Sequence, residues 1–305
     1  MAVVSLSTMW AQQDRFDDIE TFRRAAAGFG YTAIEVSHST SGPRLERLLE
    51  PGPIPLSSLH APTPRTKMAD GRWNSDANLA DPDEDARAGA VTETKRTIDF
   101  AGGAGVKFVV LHLGGVGDAM TDFELQLRRL YDSGVRDGEE VEQLRDKARS
   151  HRAEGIAVHL EAARRSLREL TNHALRYGVA LGLENRYHYH EIPSPDDAAA
   201  LLADYSNEAA GYWHDVGHAE VQHRIGLIDR HAWFPRLTPR TIGTHLHDVD
   251  GIGDHRAPGN GDVDWGYIAA GLPQGALRVF EIDQRQADEA VAAAPAFLRA
   301  RGVIE

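Results

Sequence analysis

Six short apolar runs in this 305-residue chain end on side chains that bind metals or move protons: SSLH at His60, VVLH at His112, LGLE at Glu184, YWHD at Asp215, GTH at His245 and RVFE at Glu281. A single histidine or carboxylate closing a strand often only bonds a neighbouring loop backbone, and for His60 and His112 taken singly that reading is as good as a functional one. Glu184 and Glu281 differ. Each directly follows an apolar run, in LGLEN and RVFEI, and an ionised carboxylate in an apolar setting is strongly disfavoured unless a cation or hydrogen bonds compensate. Brought together with Asp215 and an imidazole, these glutamates repel one another unless a cation lies among them. Three carboxylates and one neutral imidazole make a donor set that suits Mn2+ best and also accepts Mg2+, Co2+ or Zn2+. The chain has no cysteine, which excludes a closed four-thiolate zinc site and favours an open, catalytic coordination sphere.

Local spacing adds to this. HDVGH (214–218) sets Asp215 and His218 three apart, so both face one pocket where the chain turns out of its strand. HLHD (245–248) sets His245 and His247 two apart; they share a face on a continuing strand and need not on a turn. DHRAPGNGDVDW (254–265) places His255 and Arg256 just before a Pro-Gly-x-Gly loop. Such a loop lets the backbone approach a ligand closely, although turn chemistry alone accounts for it.

The elements that must position these groups follow from hydropathy. Eight β-branched, apolar runs, at about 3–7, 33–36, 56–60, 107–112, 179–184, 211–215, 241–245 and 277–281, alternate with longer amphipathic segments. Helical spacing is clearest over 85–103, 157–177 and 285–301. That alternation predicts βα units and a parallel sheet, and the length fits one (β/α)8 TIM barrel domain over 1–305. All strands of such a barrel point the same way, so their C-terminal ends converge on one face and residues far apart in sequence meet there. Two connections exceed what a barrel needs. Residues 61–84 are rich in Pro, Asp and Asn and read as a long βα loop able to cover the site. Residues 118–155 read as a charged, partly helical insertion ahead of the main fourth helix, its charges a solvated face.

Composition limits the partners. The chain is 42% hydrophobic and 26% charged, with a formal net charge of −13. Its surface as a whole therefore repels nucleic-acid phosphates, and no apolar run approaches membrane-spanning length. The N-terminus has no signal-peptide pattern, so a cytoplasmic location is expected.

The chain resembles the sugar phosphate isomerase/epimerase family, part of the xylose isomerase-like, AP endonuclease type 2 superfamily. The resemblance spans nearly the whole sequence, from MWAQQDRF to FEIDQ. It rests on LENR (183–186) with EIPS (191–194), on HDVGH, on HLHD, on HxxPGxG ending at Gly261, and on the terminal Glu281. It implies that Glu184, Asp215, His245 and Glu281 hold a shared divalent metal. His218 and His255 then fall where family members contact substrate, or hold further metals in the nuclease branch; Arg186 also faces the substrate, and His60 and His112 join the substrate-binding set. The implied reaction is isomerisation or epimerisation of a sugar or related polyhydroxy ketone, with Glu184 and Glu281 moving a proton through a metal-stabilised enediolate. Barrels of this kind often pair, but no residue in the chain marks an interface.

Three other readings stay open. A lyase acting on an inosose or a 3-dehydroshikimate-like keto acid begins with the same proton abstraction and then loses a hydroxyl. A DNA-repair nuclease fits His60 and His112, yet that pattern wants an Asp two positions before His255, where this chain has Gly253, and the acidic charge opposes it. A non-catalytic barrel subunit has no physical need to keep carboxylates facing each other.

Overall fold

Eight short parallel strands, all or nearly all buried, close into a barrel: β1 Val4–Ser7, β2 Ala33–Val36, β3 Leu56–His60, β4 Phe108–Leu111, β5 Ala180–Glu184, β6 Ala210–Asp215, β7 Thr241–Leu246 and β10 Leu277–Phe280. Strands covered on both faces read as continuous apolar runs, which is why they are legible in the sequence. The structure is a computed structural model and describes residues 3–117 and 119–305. Met1, Ala2 and Asp118, the first residue of the expected insertion, lie outside the described residues.

Helices pack around the barrel: α1 Ile19–Gly28, α2 Gly42–Leu49, α3 Glu84–Gly103, α4 Asp122–Asp132, α5 Glu139–Ala174, α6 Pro195–Leu202, α7 Val216–Arg224, α8 Phe234–Leu237, α9 Trp265–Gly271 and α10 Asp288–Arg299. Their starts are locally encoded. Asp83 caps α3 by accepting from the Ala86 N–H, and Ser194 with Asp197 forms a capping box ahead of Pro195 at the start of α6. Among the described residues no helix is long and apolar enough to cross a membrane.

The barrel interior beneath the strand ends is filled by Val110, Ala180, Trp213, Ile242 and Val279. Trp213 is the largest of these and fits only because its neighbours are Gly182 and Gly243. A Cβ on either would come within 2.7 Å or 2.1 Å of the indole. Its ring lies edge-on to His245 at 5.4 Å and so forms the floor of the strand-end site.

Two features differ from expectation. The charged insertion and the fourth helix are not separate, because α5 runs unbroken for 36 residues. Gly155 lies inside this helix, although glycine weakens a helix interior. It stays helical because Val116 packs against it, and a Cβ there would lie 2.5 Å from the valine methyl. Secondly, the chain after β7 forms an antiparallel hairpin, β8 Asp248–Asp250 and β9 Gly253–Arg256. It turns at Gly251, whose φ of 62° suits glycine.

Candidate active site

Strand register brings the singled-out residues together. Asp215 lies beside His245 across β6 and β7, and His245 beside Val279, two residues before Glu281. Glu184 closes β5, while His112 and Glu281 follow directly after β4 and β10. One ligand atom each from Glu184, Asp215, His245 and Glu281 lies within 4.8 Å of the others, and all four residues are buried. His245 is central: its Nδ1 is 2.6 Å from Glu184, 3.1 Å from Glu281 and 3.6 Å from Asp215.

The electrostatics follow from that crowding. Burial alone would push the His245 imidazole down, but the carboxylates of Glu281, Glu35 and Glu184 outweigh it and hold the ring well above its ordinary value. Burial likewise opposes ionisation of Glu184, yet His245, His112 and His60 bring it well below the usual carboxylate range. Asp215 is also buried and is held well down by His218 and His247. Glu184, Asp215 and Glu281 are buried around one imidazole, and among the described residues Glu281 Oε1 has no hydrogen-bond partner. Three carboxylates and an imidazole buried together are the donor set a divalent cation fits.

Asp215 is fixed from several sides. Its side chain caps α7 by accepting from the His218 N–H at 2.7 Å. Asn185 brackets its backbone, accepting from the Asp215 N–H at 2.7 Å and donating to its carbonyl at 2.8 Å. His247 lies 3.0 Å from both of its oxygens. The His255 N–H donates to His247 Nδ1 at 2.9 Å, so a neutral His247 carries its proton on Nε2 and donates it to Asp215. His245 and His247 therefore do face one site, with different work.

The remaining expected residues surround this cluster. His60 Nε2 is 3.3 Å and His112 Nε2 2.8 Å from Glu184 Oε2, and Arg186 donates to the same oxygen at 2.9 Å. Arg186 also contacts His112 and donates to Glu191 at 3.0 Å. His218 donates from Nδ1 to the Asn185 carbonyl at 2.9 Å, which leaves Nε2 3.7 Å from Asp254. His255, at φ 55°, stacks on His247 with ring centres 4.2 Å apart and lies 3.7 Å from Glu281.

Sequence reasoning did not single out four other groups. Glu35 is fully buried in β2 and lies 3.0 Å from His245 Nε2, while Ser58 donates to it at 2.7 Å. A carboxylate inside the apolar run AIEV was the available signal. His38 joins His60 and His112 in a cluster of rings, its imidazole lowered to about 3 by burial and by His60; nothing in SHST distinguishes it. Asp254 reaches His255 at 3.0 Å, so a carboxylate arrives from one position along from Gly253. Glu124 corrects the view of the insertion as a solvated face. It is fully buried, accepts from Arg128 at 2.7 Å and from the Tyr189 N–H at 2.9 Å, and so ties α4 to the loop after Glu184.

A cavity of about 590 Å3 opens beside the cluster, with His112, Arg186, His190, Glu191, Asp76 and Asn78 in its lining. Part of its wall is the loop expected to cover the site. That loop is anchored, since Asn78 donates to the Gly115 carbonyl at 3.1 Å and the Leu79 carbonyl accepts from Ser166 at 2.7 Å. The Pro-Gly-x-Gly turn is held by buried Asp248, which accepts from the Gly259 and Val263 N–H groups at 2.9 and 3.0 Å.

A family model described as xylose isomerase-like TIM barrel matches residues 23–301. No curated protein matches the sequence. Among solved structures, a D-tagatose 3-epimerase-like protein superposes with a TM-score of 0.66 at 19% identity, covering 98% of this chain and 96% of the other. D-psicose 3-epimerase with D-tagatose from Clostridium cellulolyticum H10 gives 0.67 at 16% identity, covering 98% and 99%. The IOLI protein with a bound zinc atom gives 0.64 at 16% identity, covering 98% and 97%. At these identities the likeness concerns the fold.

Proposed function

The chain belongs to the xylose isomerase-like TIM-barrel family, and on that premise we propose that it is a divalent-cation-dependent isomerase or epimerase of a sugar or related polyhydroxy ketone. The observation that carries this reading is the buried ring of Glu184, Asp215 and Glu281 around His245 Nδ1. Three carboxylates enclosed together are disfavoured unless opposite charge joins them. Those four side chains are the proposed ligands, with Mn2+ the best match to their mixed donors. When bound, the cation supplies positive charge beside the substrate oxygen on which negative charge builds as a neighbouring C–H is deprotonated. The sugar epimerases and the zinc-binding protein among the structural neighbours agree with this class of chemistry.

The protein's own groups divide the remaining work. Glu281, with an unpartnered Oε1, is the carboxylate free to take a proton from the carbon beside the carbonyl. Glu184 Oε2 is met by His60, His112 and Arg186, and this network relays a proton to the opposite face. His218 and His255 meet substrate hydroxyls from the β9 side. Burial of the whole cluster keeps bulk water from the deprotonated carbon.

A hydrolase with several cations is the second reading, favoured by the further groupings His60–His112–Glu184 and Asp215–His218–His247–His255. The second grouping is weakened by His247, both of whose nitrogens are engaged. The test is incubation of the cation-loaded protein in D2O with ketoses, inososes and keto acids. Deuterium entering the carbon beside the carbonyl without loss of water supports the isomerase reading; loss of water makes the protein a lyase, and no exchange with any of them rejects both.

A further inference from the structure

Resting on that reading, we infer that the substrate is larger than one monosaccharide: a keto sugar bearing a second, uncharged sugar residue, which occupies the cavity beyond His112 and Arg186. The cavity begins at the cluster, because these two side chains both touch Glu184 and both line it. Its volume of about 590 Å3 sits mid-range among the roughly 300–1,000 Å3 of pockets that hold ligands of drug size. A lone ketose reacting at the strand ends leaves most of that space to water.

The lining selects the chemistry of the occupant. Its guanidinium groups already have carboxylate partners, Arg186 with Glu184 and Glu191 and Arg72 with Asp70. His112 Nε2 is turned to Glu184 Oε2 at 2.8 Å, and the His190 imidazole is held below its ordinary value, first by burial. Glu191 and Asp76 add negative charge to the wall. Among the described residues, a phosphate or carboxylate placed here finds no uncommitted positive charge and meets two anions, an arrangement electrostatics disfavours. Hydroxyl groups suit it well, since each both donates and accepts. Carboxylates take their protons, and the Asn78 amide and imidazole nitrogens complete the set. His190 also lines the cavity at 8% exposure; its Nδ1 is fully buried and has no hydrogen-bond partner among the described residues.

The test uses the full-length, cation-loaded protein and follows deuterium uptake from D2O by mass spectrometry with palatinose and lactulose, two keto disaccharides, against D-fructose and D-fructose 6-phosphate. The expected result is a kcat/KM for at least one disaccharide about tenfold or more above that for either fructose compound. Ser75→Trp and Ala119→Trp, which fill the cavity from wall positions outside the cation cluster, should each lower the disaccharide-to-fructose ratio by about tenfold; Ala119 is exposed, so its replacement leaves the core intact. Exchange on D-fructose but on neither disaccharide overturns this inference and leaves the proposed function standing. Preference for the phosphate ester, or a ratio unmoved by both tryptophans, overturns it too. No exchange with any of the four, while another ketose or an inosose does exchange, also overturns this inference; no exchange with any ketose, inosose or keto acid rejects the function itself.

Discussion

His245 is held between two glutamates, with Nε2 3.0 Å from Glu35 Oε1 and Nδ1 2.6 Å from Glu184 Oε1. With Nε2 donating to Glu35, the Nδ1 lone pair is aimed at the space shared with Asp215 and Glu281. A carboxylate behind a ligand histidine fixes its tautomer and raises its basicity.

Replacing Glu35 should therefore weaken cation retention without touching the cation's own ligands. Glu35→Gln is expected to lower affinity for Mn2+ by about 10- to 100-fold, measured by competition against a chelator. Unchanged affinity would mean that His245 is oriented by its other neighbours.

Glu184→Gln and Glu281→Gln should each lower turnover by about a thousandfold or more, since each removes a proposed acid or base. Circular dichroism should show the barrel intact. Activity within tenfold of the parent in either variant removes that glutamate from the chemistry.

The proposed four-ligand site, with both nitrogens of His247 engaged beside it, predicts one cation per chain. Elemental analysis after dialysis should give a ratio near one, and His247→Asn should weaken binding while preserving that ratio. Three cations per chain would favour the hydrolase reading.

How much of this was legible beforehand depended on where each residue stands in its strand. Glu184 and Glu281 were readable because a carboxylate ending an apolar run needs compensation. Glu35 carries the same signal from inside β2, where a carboxylate within a run stands out less than one that closes it. Asp254 and His255 owe their place to the β8–β9 hairpin, whose only local sign is Asp250-Gly251, a common hairpin turn pair. Glu124 sits in a charge-rich stretch that resembles any solvated helix; its burial arises from contact with Tyr189, far away in sequence.

Glu124 also gives a pH dependence. Burial works against its ionisation, but His188 and Arg128 more than offset this and hold it below its ordinary value of 4.5. A carboxylate depressed on folding contributes stability above its unfolded value, and that contribution fades as pH falls through the folded value. The window therefore lies below 4.5. Thermal melts from about pH 6 to about pH 3.5 should fall more steeply for the parent than for Glu124→Gln, which starts about 1–3 kcal/mol less stable. Parallel curves would show that Glu124 contributes no pH-dependent stability.

Anomalous diffraction at the manganese edge from crystals grown with Mn2+ tests the central claim most directly. The expected result is one strong peak within about 2.0–2.6 Å of oxygen or nitrogen atoms of Glu184, Asp215, His245 and Glu281. Full-occupancy manganese bound elsewhere, with these four side chains still paired to one another, would contradict it.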